Sequence, residues 1–119
     1  NNSPYPRTGA LAPTGVRQTK TVEYSAFEKI RTWADERGLY DKGDPKTQTL
    51  KLMEEAGEIC RAVLKKDEPE IIDGIGDCVV VLTNLAHLCD TSIEECIEIA
   101  YNEIKDRKGK MDNGTFKKD

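Results

Sequence analysis

Acidic residues recur at helical spacing in two stretches of the chain. In the run Glu54, Glu55, Ala56, Gly57, Glu58, the pairs Glu55/Glu58 and Glu54/Glu58 are three and four residues apart, so each pair projects from one side of a helix. Repulsion within such pairs costs a few tenths of a kcal/mol, about 0.2 to 0.5, unless a cation lies between them. A solvated acidic face is the bland alternative for one run. A second run makes it less adequate: Glu70, Asp73 and Asp77 recur at spacings of three and four where the sequence turns apolar, and Asp77 is followed at once by Cys78 and Val79, Val80, Val81. A carboxylate at the edge of a core needs a partner or a metal to offset its desolvation. Gly74 and Gly76 beside it each weaken a helix by about 1 kcal/mol, a cost easier to understand if something approaches the backbone closely. Two helices that each present carboxylates form an all-oxygen site suited to Mg²⁺, with Mn²⁺ as the alternative ion. Di-iron bundles use Glu-x-x-His pairs, and this chain has none, His87 being its one histidine.

The elements that must carry these residues are mostly helical. Residues 1–20 hold three of the five prolines and show no apolar period, and read as a flexible leader with a processed start. The spacing of Val22, Ala26, Ile30, Trp33 and Ala34 predicts a helix from Thr21 to Arg37, closed by Gly38. Asp44 before Pro45 is a start signal for a second helix reaching about Lys66, and Pro69 opens a third that runs to about Cys89. The three valines favour a strand locally, but the segment is too long and does not alternate. Ser92 with Glu95 has the form of a capping box for a fourth helix, whose face of Ile93, Cys96, Ile97, Ala100 and Ile104 extends to Gly109. The last ten residues hold an Asn113-Gly114 turn and read as a tail. The expected fold is all-α, an antiparallel four-helix bundle-like domain over residues 21–119, with no strand.

Composition narrows the partners. Eighteen basic against 22 acidic residues, net -4, argue against nucleic-acid binding. A polyphosphate can approach acidic residues only with cations between the two anions. A chain of 119 residues buries a limited fraction of its surface, so self-association to a homodimer or homotetramer is expected. Cys60, Cys78, Cys89 and Cys96, with no C-x-x-C pair, read as buried reduced thiols. With no secretory or transmembrane segment apparent, the chain reads as a soluble cytoplasmic protein with no membrane partner.

The segments EEAGE (Glu54 to Glu58), IIDGIGDCVVVL (Ile71 to Leu82) and YNEIKDRKGKM (Tyr101 to Met111), in that order, resemble the MazG-like nucleotide pyrophosphohydrolases. These belong to the all-α NTP pyrophosphatase superfamily, with the dimeric dUTPases and dCTP pyrophosphatases. The resemblance runs from about Phe27 to Lys117. It implies an α-helical oligomer that binds Mg²⁺ through E-x-x-E and E-x-x-D motifs and cleaves a nucleoside triphosphate between its α and β phosphates, giving monophosphate and pyrophosphate. By position, Glu55 and Glu58 match the first motif and Asp77 ends the second, while Glu54 is a further ligand or a base. The position three before Asp77 is Gly74, which has no side chain to offer; Asp73, on nearly the same face, is the expected substitute. In this reading water activated by the metal attacks the α-phosphorus, with Glu54 or Glu55 taking the proton.

Lys51, one turn before Glu55, and Asn102, Lys105, Arg107 and Lys108 are candidates for phosphate contacts. Basic residues late in a helix are also favoured by its dipole. Trp33 has a face on which a base can stack, although its place in the first apolar stripe favours the core. His87 is expected to be packed and hydrogen-bonded to a neighbour. The rival function is a non-catalytic helical interaction or regulatory module with a degenerate metal site, as the glycine at position 74 allows.

Overall fold

The computed structural model describes residues 25–119, so the expected leader and residues 21–24 of the expected first helix lie outside the described residues. Five helices follow: α1 (Ser25–Glu36), α2 (Leu39–Lys42), α3 (Pro45–Lys65), α4 (Glu68–Leu88) and α5 (Ile93–Ile104). Helices α3, α4 and α5 each begin on a side chain that accepts from a free backbone amide. Asp44 accepts from the Thr47 amide at 2.7 Å, Asp67 from Glu70 at 3.3 Å, and Ser92 from Glu95 at 3.1 Å. Pro45 and Pro69 sit in the first turns of α3 and α4, where a missing N–H costs nothing. At the far end of α1, Gly38 takes φ 79°, a left-handed turn that strains other residues.

The two-residue link Lys66–Asp67 folds α3 and α4 into an antiparallel hairpin, the most extensive helix pair among the described residues. α4 is the hub and touches α1, α2, α3 and α5. Its length and mean hydropathy of 1.5 match those of a membrane-crossing helix, yet it carries Asp73 and Asp77 and is packed by four other helices. The valine run lies in this helix, with Val81 2% exposed.

Three expectations are corrected here. The chain adds the single turn α2 and a β-hairpin of β1 (Gly109–Asp112) and β2 (Thr115–Lys118), so it is not a plain four-helix unit. The fourth long helix ends at Ile104, short of Gly109, and the supposed tail is ordered as strands. The cause is the Asn113-Gly114 pair, at φ 49° and 82°, which makes the tight turn that matches strand twist and sets Met111 opposite Phe116. Second, the cysteines are free thiols but not all buried: Cys60, Cys89 and Cys96 are exposed and Cys78 half-buried. Third, Trp33 lies outside the core, 47% exposed, with the Arg37 guanidinium 4.6 Å over its ring; Ala34 fills the interior position.

The thinness of the core explains these outcomes. Among the described residues the buried apolar side chains are Ala34, Ala62, Val81 and Ala86, joined by Gln48, Thr83 and Asn84. Small side chains let helices approach but leave the larger apolar ones outside. Ile72, Ile75, Val79 and Leu82, three or four residues apart, form an exposed stripe along α4. The radius of gyration, 16.7 Å, exceeds the roughly 12 to 14 Å of a compact chain this long.

Candidate functional site

The two acidic runs meet across the α3–α4 groove. Glu55 and Glu58 rise from α3, Asp73 and Asp77 from α4. The Glu55 carboxyl is pushed up by desolvation, then by the charge and close approach of Glu58 and by the charge of Asp77. Asp77 is pushed up in the same way, by desolvation, then by the charge and close approach of Asp73, and by the charge of Glu58. Lys51 acts against both shifts; its Nζ is 3.9 Å from Glu55 Oε1. Glu55 is only 14% exposed, and its Oε2 is buried without a hydrogen-bond partner. The thiol of Cys78 is raised as well, by desolvation and by the charges of Glu55 and Asp77.

A backbone contact brings the pairs face to face. Gly74 is buried against α3, and a Cβ built there would lie 2.8 Å from Ile59 Cγ1. Position 74 therefore points into the helix contact, while Asp73 and Asp77 reach the groove on its flank. The cost in helix propensity is offset by the close approach of the two helices.

The four carboxylates sit as two pairs, one on each helix. No three His, Cys, Asp or Glu side chains among the described residues converge into a single ligand shell. Their chemistry nevertheless fits a hard divalent cation: all donors are oxygens, one is buried and unpartnered, and mutual repulsion is relieved by positive charge.

Other sequence candidates are placed as follows. Glu54 is exposed on α3. Asn102 near the end of α5, and Lys105 and Arg107 after it, are exposed and do not line the cleft beside Glu58. His87 is exposed and stacks on Tyr40, ring centroids 3.9 Å apart, instead of being packed and hydrogen-bonded as expected. Two groups escaped the sequence reading. Tyr40 donates to Asn84 Oδ1 at 2.6 Å, and with His87, Arg31, Thr32, Glu28 and Asp35 it lines a cleft of about 330 Å³. Arg61 and Lys65 line a second, of about 300 Å³, beside Glu58. They continue the face of Glu58 at i+3 and i+7, a spacing visible in the sequence; the single turn that carries Tyr40 has no such signal.

The family model for the MazG nucleotide pyrophosphohydrolase domain matches residues 44–111, from the cap of α3 through β1. The chain belongs to this family. The matched MazG segment contains both acidic pairs and Gly74. The chain is also similar to a protein of Haemophilus phage HP1 (strain HP1c1), described as an uncharacterized 18.2 kDa protein in the rep-hol intergenic region. The two are 46% identical over 60 residues, 50% of this chain and 37% of that relative, so the likeness spans little more than a third of the phage protein. No solved structure matches the MazG chain.

Proposed function

We propose that this MazG protein is a Mg²⁺-dependent hydrolase that converts nucleoside triphosphates to monophosphates and pyrophosphate, serving to clear unwanted nucleotides from the pool. The observation that carries this reading is the facing of two carboxylate pairs across one groove, with Glu55 Oε2 buried and unpartnered. Glu55, Glu58, Asp73 and Asp77 would hold the cation. When bound, it neutralises phosphate charge and makes water a stronger acid. Glu54 or Glu55 accepts the proton of the attacking water, and Glu55, desolvated beside the groove, is the better placed. Lys51 is poised to exchange its contact with Glu55 for a phosphate oxygen once a cation enters. Gly74 keeps the helices close, which favours a fixed separation of the two pairs.

The bare stripe on α4 and the exposed hairpin support a homodimer or homotetramer, in which Asn102, Lys105, Arg107 and Trp33 of one copy can approach the groove of another. The deciding experiment is a panel of common and modified nucleoside triphosphates with Mg²⁺, scoring pyrophosphate separately from orthophosphate. Pyrophosphate release that stops on chelation is expected. Release of orthophosphate alone, or turnover in metal-free buffer, would overturn the mechanism. Absence of all turnover with intact metal binding would favour a regulatory module.

A further inference from the structure

The end of the α3–α4 groove nearest the α3–α4 link carries basic side chains beside the acidic pairs. There the groove opens into the cleft of about 300 Å³ lined by Glu58, Arg61, Ala62, Lys65, Asp67 and Glu70. Ala62, 5% exposed, forms a small floor. Neither Arg61 nor Lys65 is ion-paired among the described residues. Of the acids there, Asp67 caps the α4 amides and Glu58 belongs to the cation-binding set, so Glu70 is left facing the two free cations.

The cleft of Tyr40 and His87 lies elsewhere, lined by α1, α2 and the last turn of α4 with no residue of α3. Its cation is already engaged: Arg31 donates to both Glu94 oxygens, at 2.8 and 2.6 Å, and to Glu28. Asp35 adds a further negative charge to that lining. A phosphate placed there meets acids and no free cation, whereas Tyr40 and His87 offer aromatic faces.

Resting on the pyrophosphohydrolase reading, we infer that Arg61 and Lys65 bind the β- and γ-phosphates of the substrate, hence the departing pyrophosphate. The triphosphate tail then runs from Glu58 toward the α3–α4 link. Arg61 lies one turn beyond Glu58 and Lys65 a second turn on, about 10 Å from Glu58 along the axis, which suits a diphosphate extending away from a cation on Glu58. A guanidinium forks onto two phosphate oxygens and the ammonium acts as a mobile charge.

The test is calorimetric titration of inorganic pyrophosphate into the full chain in Mg²⁺ buffer. Arg61→Gln with Lys65→Gln should weaken pyrophosphate at least tenfold while Mg²⁺ affinity and melting temperature stay unchanged. Lys65→Arg should retain binding, and the equal charge loss Lys42→Gln with Lys46→Gln, near the far end of α3, should change it less than twofold. Unaltered pyrophosphate affinity in the double variant overturns the inference, as does a wild type that binds none. A loss that follows Lys51→Gln instead reverses the direction of the tail and also overturns it. A wild type that binds pyrophosphate through Arg61 and Lys65 but turns over no triphosphate would sink the proposed reaction and leave the binding site standing.

Discussion

Gly74 on α4 lies against Ile59 on α3 so closely that a methyl group at position 74 would come within 2.8 Å of Ile59 Cγ1. The missing carboxylate three before Asp77 is thus a packing requirement of this helix pair. Gly74→Ala should destabilise the fold despite a gain of about 1 kcal/mol in helix propensity, because overpacking costs about 1 to 3 kcal/mol. Gly74→Glu should be worse and should not strengthen Mg²⁺ binding. Urea unfolding and metal titration check this; a stabilised Gly74→Glu with tighter metal would refute it.

Asp73 and Asp77 should contribute comparably to the cation. Asp73→Asn and Asp77→Asn should each weaken Mg²⁺ or Mn²⁺ binding and turnover, roughly tenfold or more, since each removes one charged donor from the same groove. Glu70→Gln should matter less. Both Asn variants should melt no earlier than wild type without metal, because a repulsion is relieved. Intact metal affinity in Asp73→Asn beside its loss in Asp77→Asn would remove Asp73 from the ligand set.

Arg31 and Glu94 join α1 to the start of α5 across 63 residues of sequence, with side chains 15% and 27% exposed. The guanidinium holds the Glu94 carboxyl below its ordinary value. This contribution is therefore complete above the ordinary glutamate range and disappears as pH falls through the depressed folded value. Glu94→Gln should cost about 1 to 2 kcal/mol near neutrality and reduce the loss of stability in acid. Melting curves from pH 7 to 3 check it; parallel curves for variant and wild type would contradict it.

The α4 stripe of Ile72, Ile75, Val79 and Leu82 is exposed in the subunit and expected to be covered by a second copy. Ile75→Glu with Val79→Glu should yield a monomer of lower stability. Sedimentation of the wild type as a monomer at micromolar concentration would rule out the assembly.

Local chemistry was legible in the sequence. Asp44, Asp67 and Ser92 act through amides three residues away, so the starts of α3, α4 and α5 follow from neighbours along the chain. The acidic spacings likewise set Glu55 with Glu58 and Asp73 with Asp77 on shared helix faces, because one helical period fixes which residues share a face; choosing these four over Glu54 and Glu70 rests on the family resemblance. The Asn113-Gly114 turn is also visible in the sequence, but the pairing of Gly109–Asp112 with Thr115–Lys118 is not. Burial was not legible. Trp33 and Ala34 are adjacent in one apolar stripe, yet only the packing of α1 on α4 turns Ala34 inward and leaves Trp33 under Arg37. The two carboxylate pairs belong to different helices, and which faces meet is set by the contact of Gly74 with Ile59. That contact depends on the crossing of two helices, a relationship no single period encodes.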